Sequence, residues 1–511
     1  MRILSVTTGH DASVTILEDG QVEFYLAANK ITRKKHDNRV IVCIEYLIDT
    51  GRTQFTDIVV DFLRLPDERL QNPLKKLFDD HFEYNNLEFT YSEHHLYHAY
   101  SGFFNSPFKE AVCLILDGAG ALVADGVGEM LGEEGAWVVE SESVYHVENE
   151  FKEVYKKYYK AEECSHHIPK QYVLHRINDK IKNGEICEDY GVGYRFELVA
   201  QECGFGVWGA GKVMGLASYK GLESPHVHNW KDFVDKSYNI QKECEDHVID
   251  LIKKYSSLSN NIVLSGGYGL NCVANDKFKN LFPYLNFFID PVCADDGISL
   301  GLAYKYYRDN SSSNIKPLKN VYIGTTPDYK LEELNTRKTS YMEVAQLLNE
   351  GLVVGICQGK SEAGYRALGN RSILFDPREK DGMEYMNSLK GRESFRPFAG
   401  TVLQEYASEW FDIDESPYMQ YAVKVKKEGI PSIVHVDNTC RVQTVSQEQN
   451  YHFYNLIKSF YEITGVPILG NTSFNYAGES IVETFDHVLE TKKKMNISYL
   501  FLPDINILVE D

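Results

Sequence analysis

The sequence predicts a mixed α/β protein of two domains, and three observations carry that reading. Short apolar runs break abruptly into glycine turns, as Ala111–Leu116 does at Asp117-Gly118 and Ile262–Ser265 at Gly266-Gly267. Buried strands that hand over to a helix through a tight turn read this way. A polar tract, Asp309-Asn310-Ser311-Ser312-Ser313-Asn314, separates two such stretches. The length, 511 residues, also exceeds what one core ordinarily fills. The expected domains are 1–315 and 320–511.

In chain order, Arg2–Thr7 reads as a strand, Gly9-His10-Asp11-Ala12-Ser13 as a polar turn, and Val14–Leu17 as a second strand. Asp19-Gly20 is a hairpin signal, after which Gln21–Leu26 returns. This opening resembles the phosphate-binding hairpin of the ribonuclease H-like ATPase superfamily. Glu93-His94-His95-Leu96-Tyr97-His98-Ala99-Tyr100 reads as helix. That sets His94 and His98 one turn apart, about 5–6 Å between Cβ atoms, where two imidazoles share one metal ion. The strand Ala111–Leu116 then ends in Asp117-Gly118-Ala119-Gly120, offering a carboxylate at a turn for a phosphate or a third metal ligand. An HxxxH pair alone more often marks packing, so the rest of the chain decides its meaning.

The middle, 125–245, is rich in Tyr, Lys and Glu and includes a helical-looking Glu150–Glu163. Cys164-Ser165-His166-His167 lacks partners to complete a tetrahedral site, and Gly209–Ala217 fails the GxxxxGK[ST] phosphate-loop pattern. Ile262–Asn271 is a buried strand breaking into a glycine-rich turn before a helix, which allows backbone approach to phosphate or adenosine. Phe287-Phe288-Ile289-Asp290-Pro291 and Asp295-Asp296-Gly297 follow about one strand–helix unit later. Beyond the linker the pattern is helix Met342–Glu350, strand Leu352–Cys357, a strand near Tyr421–Val425, helix Glu448–Tyr461 and strand Pro467–Leu469. The sequence shows no repeat and no low-complexity tract.

Composition narrows the class. With 43% hydrophobic and 25% charged residues the chain reads as soluble and globular. Lys and Arg total 53 against 74 Asp and Glu, and the formal net charge of −21 opposes broad binding to duplex phosphate. No run approaches the roughly 18–20 apolar residues of a membrane span, and no signal peptide is evident. Ten scattered cysteines without a CxxC pair point to a reducing cytoplasm and away from structural zinc.

The C-terminal domain gathers cations and amides in four bursts: Gly364–Ser372, Lys390–Phe398, Arg441–Val445 and Asn471–Asn475. In an acidic protein, recurring cations beside glycine turns and Ser/Asn-rich strand ends suggest a site for a doubly charged oxyanion. Arg supplies forked donors, Lys a compact charge, and Asn and Ser neutral donors.

Several motifs occur together in one order: HHLxHA with its downstream strand-Asp-Gly, GKVMGLASY, LSGGYGLNCVAN, DP…DDGISLG, GYRALGNRSIL with DPR, KGRESFRPFAG, CRVQTV and GVPILGNTSFN. As a set, spanning about 1–490, they resemble the NodU/CmcH-type O-carbamoyltransferases. The resemblance implies an N-terminal ribonuclease H-like (ASKHA) domain akin to the tRNA threonylcarbamoyl transferases, and a C-terminal YrdC-like domain akin to carbamoyl-adenylate synthases. It implies that carbamoyl phosphate condenses with ATP, as its Mg²⁺ complex, to a carbamoyl adenylate. An acceptor hydroxyl then takes the carbamoyl group. By match to the motifs, Lys390, Arg396, Arg441, Asn471 and Ser473 hold carbamoyl phosphate and the adenylate, with Lys390 and Arg396 acting in catalysis. His94, His98, Asp117 and Asp295 bind a divalent metal, iron in the family, although the donor set suits Fe²⁺, Mn²⁺ or Zn²⁺. Asp295 is chosen over Asp296 on spacing. Gly266, Gly267 and Asn271 face the adenosine.

His10 is the candidate general base, since a neutral imidazole has a pKa near 7. The alternative is that it fixes the turn or binds nucleotide, and Asp11 reads as a turn-former. A departure from the family lies at Asn29-Lys30 and the basic loop Thr32-Arg33-Lys34-Lys35-His36-Asp37. Its cations Lys30, Arg33, Lys34 and Lys35 either meet a phosphorylated or polynucleotide acceptor or form a solvated loop. Acceptors open to the family are sugars, natural products and hydroxymethyl groups, 5-hydroxymethylcytosine of modified DNA among them. The expected partners are carbamoyl phosphate, ATP and that acceptor, in the cytoplasm and off the membrane, with the oligomeric state, a homodimer included, left open. The competing readings are an ASKHA-type sugar or acid kinase and a non-catalytic nucleotide-binding module.

Overall fold

Three sheets carry the chain, described in a computed structural model for residues 1–62, 68–91, 93–124, 137–160, 184–187 and 190–510. In the first sheet Arg2–Thr7 pairs antiparallel with Ser13–Glu18, which pairs antiparallel with Gln21–Ala27. On its other side Arg2–Thr7 runs parallel to Asp57–Asp61, and that strand runs parallel to Asn86–Thr90. Asp19 (φ 47°) and Gly20 (φ 76°) close the hairpin in the left-handed region, as a two-residue turn between twisted strands requires.

The second sheet repeats this plan. Ala111–Leu116 takes the place of Arg2–Thr7, antiparallel to Trp137–Val147, which is antiparallel to Phe151–Lys160. Its other neighbour, Asn261–Ser265, is parallel, as is Asn286–Ile289 beyond it. The duplication lies in strand order and direction, so the sequence shows no repeat. Each first strand ends in a polar turn, Gly9-His10-Asp11 in one sheet and Asp117-Gly118 in the other.

Two helices lie between these sheets. Ser5 and Ser13 donate to Ser299 at the start of helix Ile298–Asn310, at 2.6 and 2.8 Å. Ser101 on helix His94–Asn105 donates to Asp290 at the end of strand Asn286–Ile289, at 2.8 Å. The helices cross so closely that a Cβ at Gly301 would stand 1.9 Å from the Tyr97 carbonyl oxygen. The crossing fixes the helix that carries His94 and His98.

The segment expected to be helical at Glu150–Glu163 contains the strand Phe151–Lys160. Its Lys and Glu content suggested helix, but Phe151, Val154, Tyr155, Tyr158 and Tyr159 favour the pleated state. Lys156 also pairs across strands with buried Glu140 at 2.5 Å. Cys164-Ser165-His166-His167 lies outside the described residues.

The third sheet has nine strands and incorporates Arg371–Phe375, Ala399–Leu403, Thr439–Val445 and Ile468–Ser473 side by side. Helix Tyr451–Thr464 begins at Asn450, whose side chain accepts from the Phe453 amide at 3.1 Å, slightly later than the expected Glu448. Strand Ile468–Ser473 extends beyond the expected Leu469, through Asn471. This sheet docks on the rest of the chain in part through bonds to backbone carbonyls: Tyr219 to Phe395 O (3.3 Å), His435 with Gly215 O (3.1 Å) and Arg366 to Leu270 O (3.0 Å). Among the described residues, no helix is long and apolar enough to cross a membrane.

Candidate functional site: a buried histidine–carboxylate cluster facing a cationic cleft

Helix His94–Asn105 aims His94 and His98 at the turn after Ala111–Leu116, their ring centroids 4.9 Å apart. His95, on another face, turns away to Ser143 at 2.7 Å. Asp117 caps its own strand and Asp295 opens helix-bound chain at Asp295–Gly297. One ligand atom from each of His94, His98, Asp117 and Asp295 lies within 4.8 Å of the others, and all four residues are buried. His94 Nε2 is 3.2 Å from Asp117 Oδ2, and His98 Nε2 is 3.4 Å from Asp295 Oδ1.

These residues fit a metal ion. Both ring nitrogens of buried His98 lack a hydrogen-bond partner, although buried polar atoms are ordinarily satisfied. Two buried carboxylates in one pocket also demand positive charge. Burial opposes charge on His94, but Asp295 and then Asp117 outweigh it and lift the imidazole to about 10. Asp296 is different: burial and then the Asp11 carboxylate raise it to about 8. It stands apart from the cluster, and the geometry favours Asp295 as ligand.

Glycines shape this pocket. Gly266 (φ 89°) leaves only 2.4 Å between a built Cβ and the Leu116 carbonyl oxygen, so the glycine turn packs directly on the strand end. Gly267 N–H then donates to Asp117 Oδ1 at 3.0 Å. Asn271 is committed locally, accepting from Ala274 N at 3.1 Å as a helix cap and exchanging bonds with Gln241. The expectation that its side chain faces adenosine meets a side chain already occupied.

His10 borders the cluster, its Nε2 3.3 Å from Asp295 Oδ2 and its Nδ1 3.3 Å from Asp11 Oδ2. Asp11 (φ 58°) turns the chain, and its buried carboxylate also gathers His36 Nδ1 (2.7 Å), Tyr365 OH (2.7 Å) and Asn29 Nδ2 (3.1 Å). Burial works against its ionisation, yet His10 and His36 hold the carboxyl well below its usual range. The meeting of His36 and Tyr365 at Asp11 escaped the sequence reading, because contacts between residues so far apart in the chain leave no local pattern.

The cationic cleft lies across the third sheet. Lys390 is buried and donates to Ser473 O, Asn475 O and Asn475 Oδ1, with no carboxylate among these acceptors. Burial and then Arg392, Arg396, Lys35 and Arg33 push its ammonium well below the lysine range. Ser473 Oγ turns to Asn475 Oδ1 at 2.6 Å. Arg392, half-buried, lies 4.0 Å over the Phe398 ring, and Glu393 pairs with Lys212 (2.6 Å) and Arg396 (3.7 Å). Arg441 and Asn471 flank Ala399 on neighbouring strands, so all three share one row and one face of the sheet. The Arg441 Nε donor and the Asn471 Oδ1 acceptor are both buried without a partner. Arg371, from the first basic burst, is instead structural: its guanidinium is buried among the carbonyls of Thr325, Gln358, Gly359, Asn370 and Glu483.

The basic loop after Lys30 docks inward. Lys30 donates to Glu362 O, Arg33 pairs with Glu479 at 3.0 Å, and Lys34 bridges the Glu479 backbone. Lys30 and Arg33 therefore tie the opening domain to the C-terminal one, so the solvated-loop reading gives way for these two, while the Lys34 and Lys35 side chains are exposed.

Fold and site together define a mixed α/β protein with a buried bis-histidine, bis-carboxylate pocket and a cleft lined by cations. Comparison with known proteins resolves the class further. The family profile described as carbamoyltransferase N-terminus matches residues 71–304, and that described as carbamoyltransferase C-terminus matches 345–508. The two together take in well over half of the chain, which belongs to the carbamoyltransferase family. Similar curated proteins include the nodulation protein NolNO of Sinorhizobium fredii, 28% identical over 94% of this chain and 76% of that protein. The 3'-hydroxymethylcephem-O-carbamoyltransferase of Amycolatopsis lactamdurans is 32% identical over 48% of each chain. Among solved structures, full-length HypF in its phosphate- and nucleotide-bound form aligns at 16% identity, covering 62% of this chain and 56% of its own. Its TM-score of 0.36 is too low to define the fold.

Proposed function

We infer that the protein is an ATP-dependent O-carbamoyltransferase using carbamoyl phosphate. Residues 1–315 form a ribonuclease H-like, ASKHA-type transfer domain and 320–511 a YrdC-like adenylate-forming domain. The observation that carries this reading is the row Arg441–Ala399–Asn471, where a buried guanidinium N–H and a buried amide oxygen both lack partners. Carbamoyl phosphate presents the complement, anionic oxygens at one end and amide N–H donors at the other. The Ala399 methyl between them leaves room, and unpaired buried polar atoms are costly without a ligand.

In the first half-reaction carbamoyl phosphate and water give phosphate and carbamate. A carbamate oxygen attacks the α-phosphorus of ATP, and pyrophosphate leaves. Lys390, Arg396 and Arg441 neutralise the charge that gathers there, and Ser473 and Asn471 orient the carbamoyl group. In the second, the acceptor oxygen attacks the carbamoyl carbon, the bond to AMP breaks, and AMP departs with the electron pair. His10 accepts the hydroxyl proton, its ring oriented by Asp11. His94, His98, Asp117 and Asp295 would hold the divalent metal, iron by family resemblance, which supplies positive charge for a nucleotide phosphate. Gly266 and Gly267 bring backbone close to the nucleotide. The acceptor is a hydroxyl of a sugar, a natural product or a hydroxymethyl group such as that of 5-hydroxymethylcytosine.

The test is incubation with ATP, Mg²⁺ and carbamoyl phosphate, first without and then with candidate acceptors. Release of pyrophosphate and AMP that depends on carbamoyl phosphate is expected. Lys390→Ala should abolish it with the fold intact. Silence from folded, metal-loaded protein under both conditions would overturn the reading.

A further inference from the structure

Trp208 is 51% exposed, an unusual setting for an indole, and it stands beside the transfer site. One face is covered by His36, with centroids 3.6 Å apart and planes 14° from parallel. His10, the candidate base, lies with its centroid 5.3 Å from the indole. The stack is anchored from beneath: His36 bonds to Asp11 at 2.7 Å, and Asp11 is held in turn by Tyr365 and Asn29. His36 adopts φ 54°, in the left-handed region that a β-carbon disfavours, to reach this position. The neighbouring Val207 is 39% exposed, so apolar surface continues past the indole. Strain, exposure and a rigid anchor all converge on presenting one flat face next to His10.

We propose that Trp208 is a stacking platform for the acceptor, which carries its hydroxyl on, or one carbon from, a ring with a face that can stack. The inference rests on the carbamoyl-transfer reading and names the acceptor class of that same site. A ring laid on the open indole face continues the His36–Trp208 stack and directs an attached hydroxyl or hydroxymethyl group toward His10. Heterocycles offer a π face to such a platform, and pyranoses offer the polarised C–H bonds of one face. Both sources share a ring face that can lie on the indole and a pendant hydroxyl.

The test compares the wild type with Trp208→Ala and Trp208→Phe, using 5-hydroxymethylcytidine and methyl glucoside as probes. Three quantities are measured: pyrophosphate release without acceptor, kcat and KM for each probe, and probe binding by equilibrium dialysis. Trp208→Ala should leave acceptor-free pyrophosphate release within about twofold and kcat nearly unchanged. It should raise acceptor KM by roughly 5- to 100-fold, the loss expected for one stacked ring. Trp208→Phe should recover most of that loss, which a merely structural role would not produce. Carbamoylation of the nucleoside identifies a heterocycle, and of the glucoside a sugar. Unchanged KM and unchanged binding in the alanine variant overturn the platform, as does failure of the wild type to bind either probe. Absence of pyrophosphate release in the wild type, both without and with the probes, refutes the carbamoyl-transfer reading instead, and dialysis then decides the platform alone.

Discussion

Gly301→Ala adds one methyl at the crossing of helices Ile298–Asn310 and His94–Asn105, far from any surface. A Cβ built there stands 1.9 Å from the Tyr97 carbonyl oxygen and 2.5 Å from its carbonyl carbon. Non-bonded atoms settle at roughly 3.5 Å, so the helices must part by about 1.5 Å or the turn at Tyr97 must deform. Backbone cannot swing aside as a flexible side chain does, and overpacking of this kind costs about 1–3 kcal/mol. Tyr97 lies between His94 and His98, so the shift acts directly on the histidine pair. Displacement of a reacting group by about 1 Å is worth on the order of 100-fold in rate. Gly211→Ala supplies the control, because no atom lies within 4 Å of its built Cβ and it sits in helix Ala210–Ala217. There the same substitution should stabilise by roughly 0.5–1 kcal/mol. Urea unfolding, metal content by elemental analysis and carbamoyl transfer read the three effects. Stability within about 0.5 kcal/mol of wild type, with metal content and rate unchanged in Gly301→Ala, would refute the claim that this crossing positions the site.

Other outcomes follow from individual contacts. Asp295→Asn should lose bound metal while Asp296→Asn retains it, since of the two Asp295 is the one that meets His94 and His98; the reverse in metal analysis would exchange the assignments. Arg441→Met should raise KM for carbamoyl phosphate by roughly 10- to 100-fold, the worth of one hydrogen bond to a charged group, and leave acceptor binding untouched in dialysis. Burial raises the Glu140 carboxyl, but Lys156 and then His95 outweigh it and hold it at about 2, against 4.5 when unfolded. The folded value being the lower, this pair stabilises above pH 4.5 and its contribution fades as pH falls toward 2. Lys156→Met leaves that carboxylate buried and should cost about 3–5 kcal/mol at neutral pH. An unchanged urea midpoint would show that Glu140 finds another partner.

Local pattern carried much of the fold. The strands Arg2–Thr7 and Ala111–Leu116 stand where expected because each is a short apolar run closed by a polar or glycine turn. The HxxxH spacing placed His94 and His98 on one face because helical geometry is periodic. Phe151–Lys160 was misread because lysine and glutamate weigh toward helix, while the buried Glu140 that makes Lys156 fit a strand belongs to another segment. Asn271, expected to face adenosine, also caps helix Cys272–Leu281 through its side-chain oxygen, a role the glycine turn just before it does not announce. Asp11 looked like a turn-former and is one, but its four side-chain partners include Tyr365 from the C-terminal domain.

The meeting of the two sites was the least legible feature, and it rests on two consecutive residues. Burial and then Arg396 and Lys212 depress the Lys35 ammonium, so Lys35 belongs to the electrostatics of the cationic cleft. His36, the next residue, bonds to Asp11 beside the histidine–carboxylate cluster. One peptide bond therefore separates a cation within electrostatic reach of Arg396 and Lys212 from a group bracing Asp11. Arg33, just before them, is fixed to Glu479 and to Ser480 O on the C-terminal side. A loop pinned at one end by the C-terminal domain and at the other by Asp11 cannot move without disturbing both sites.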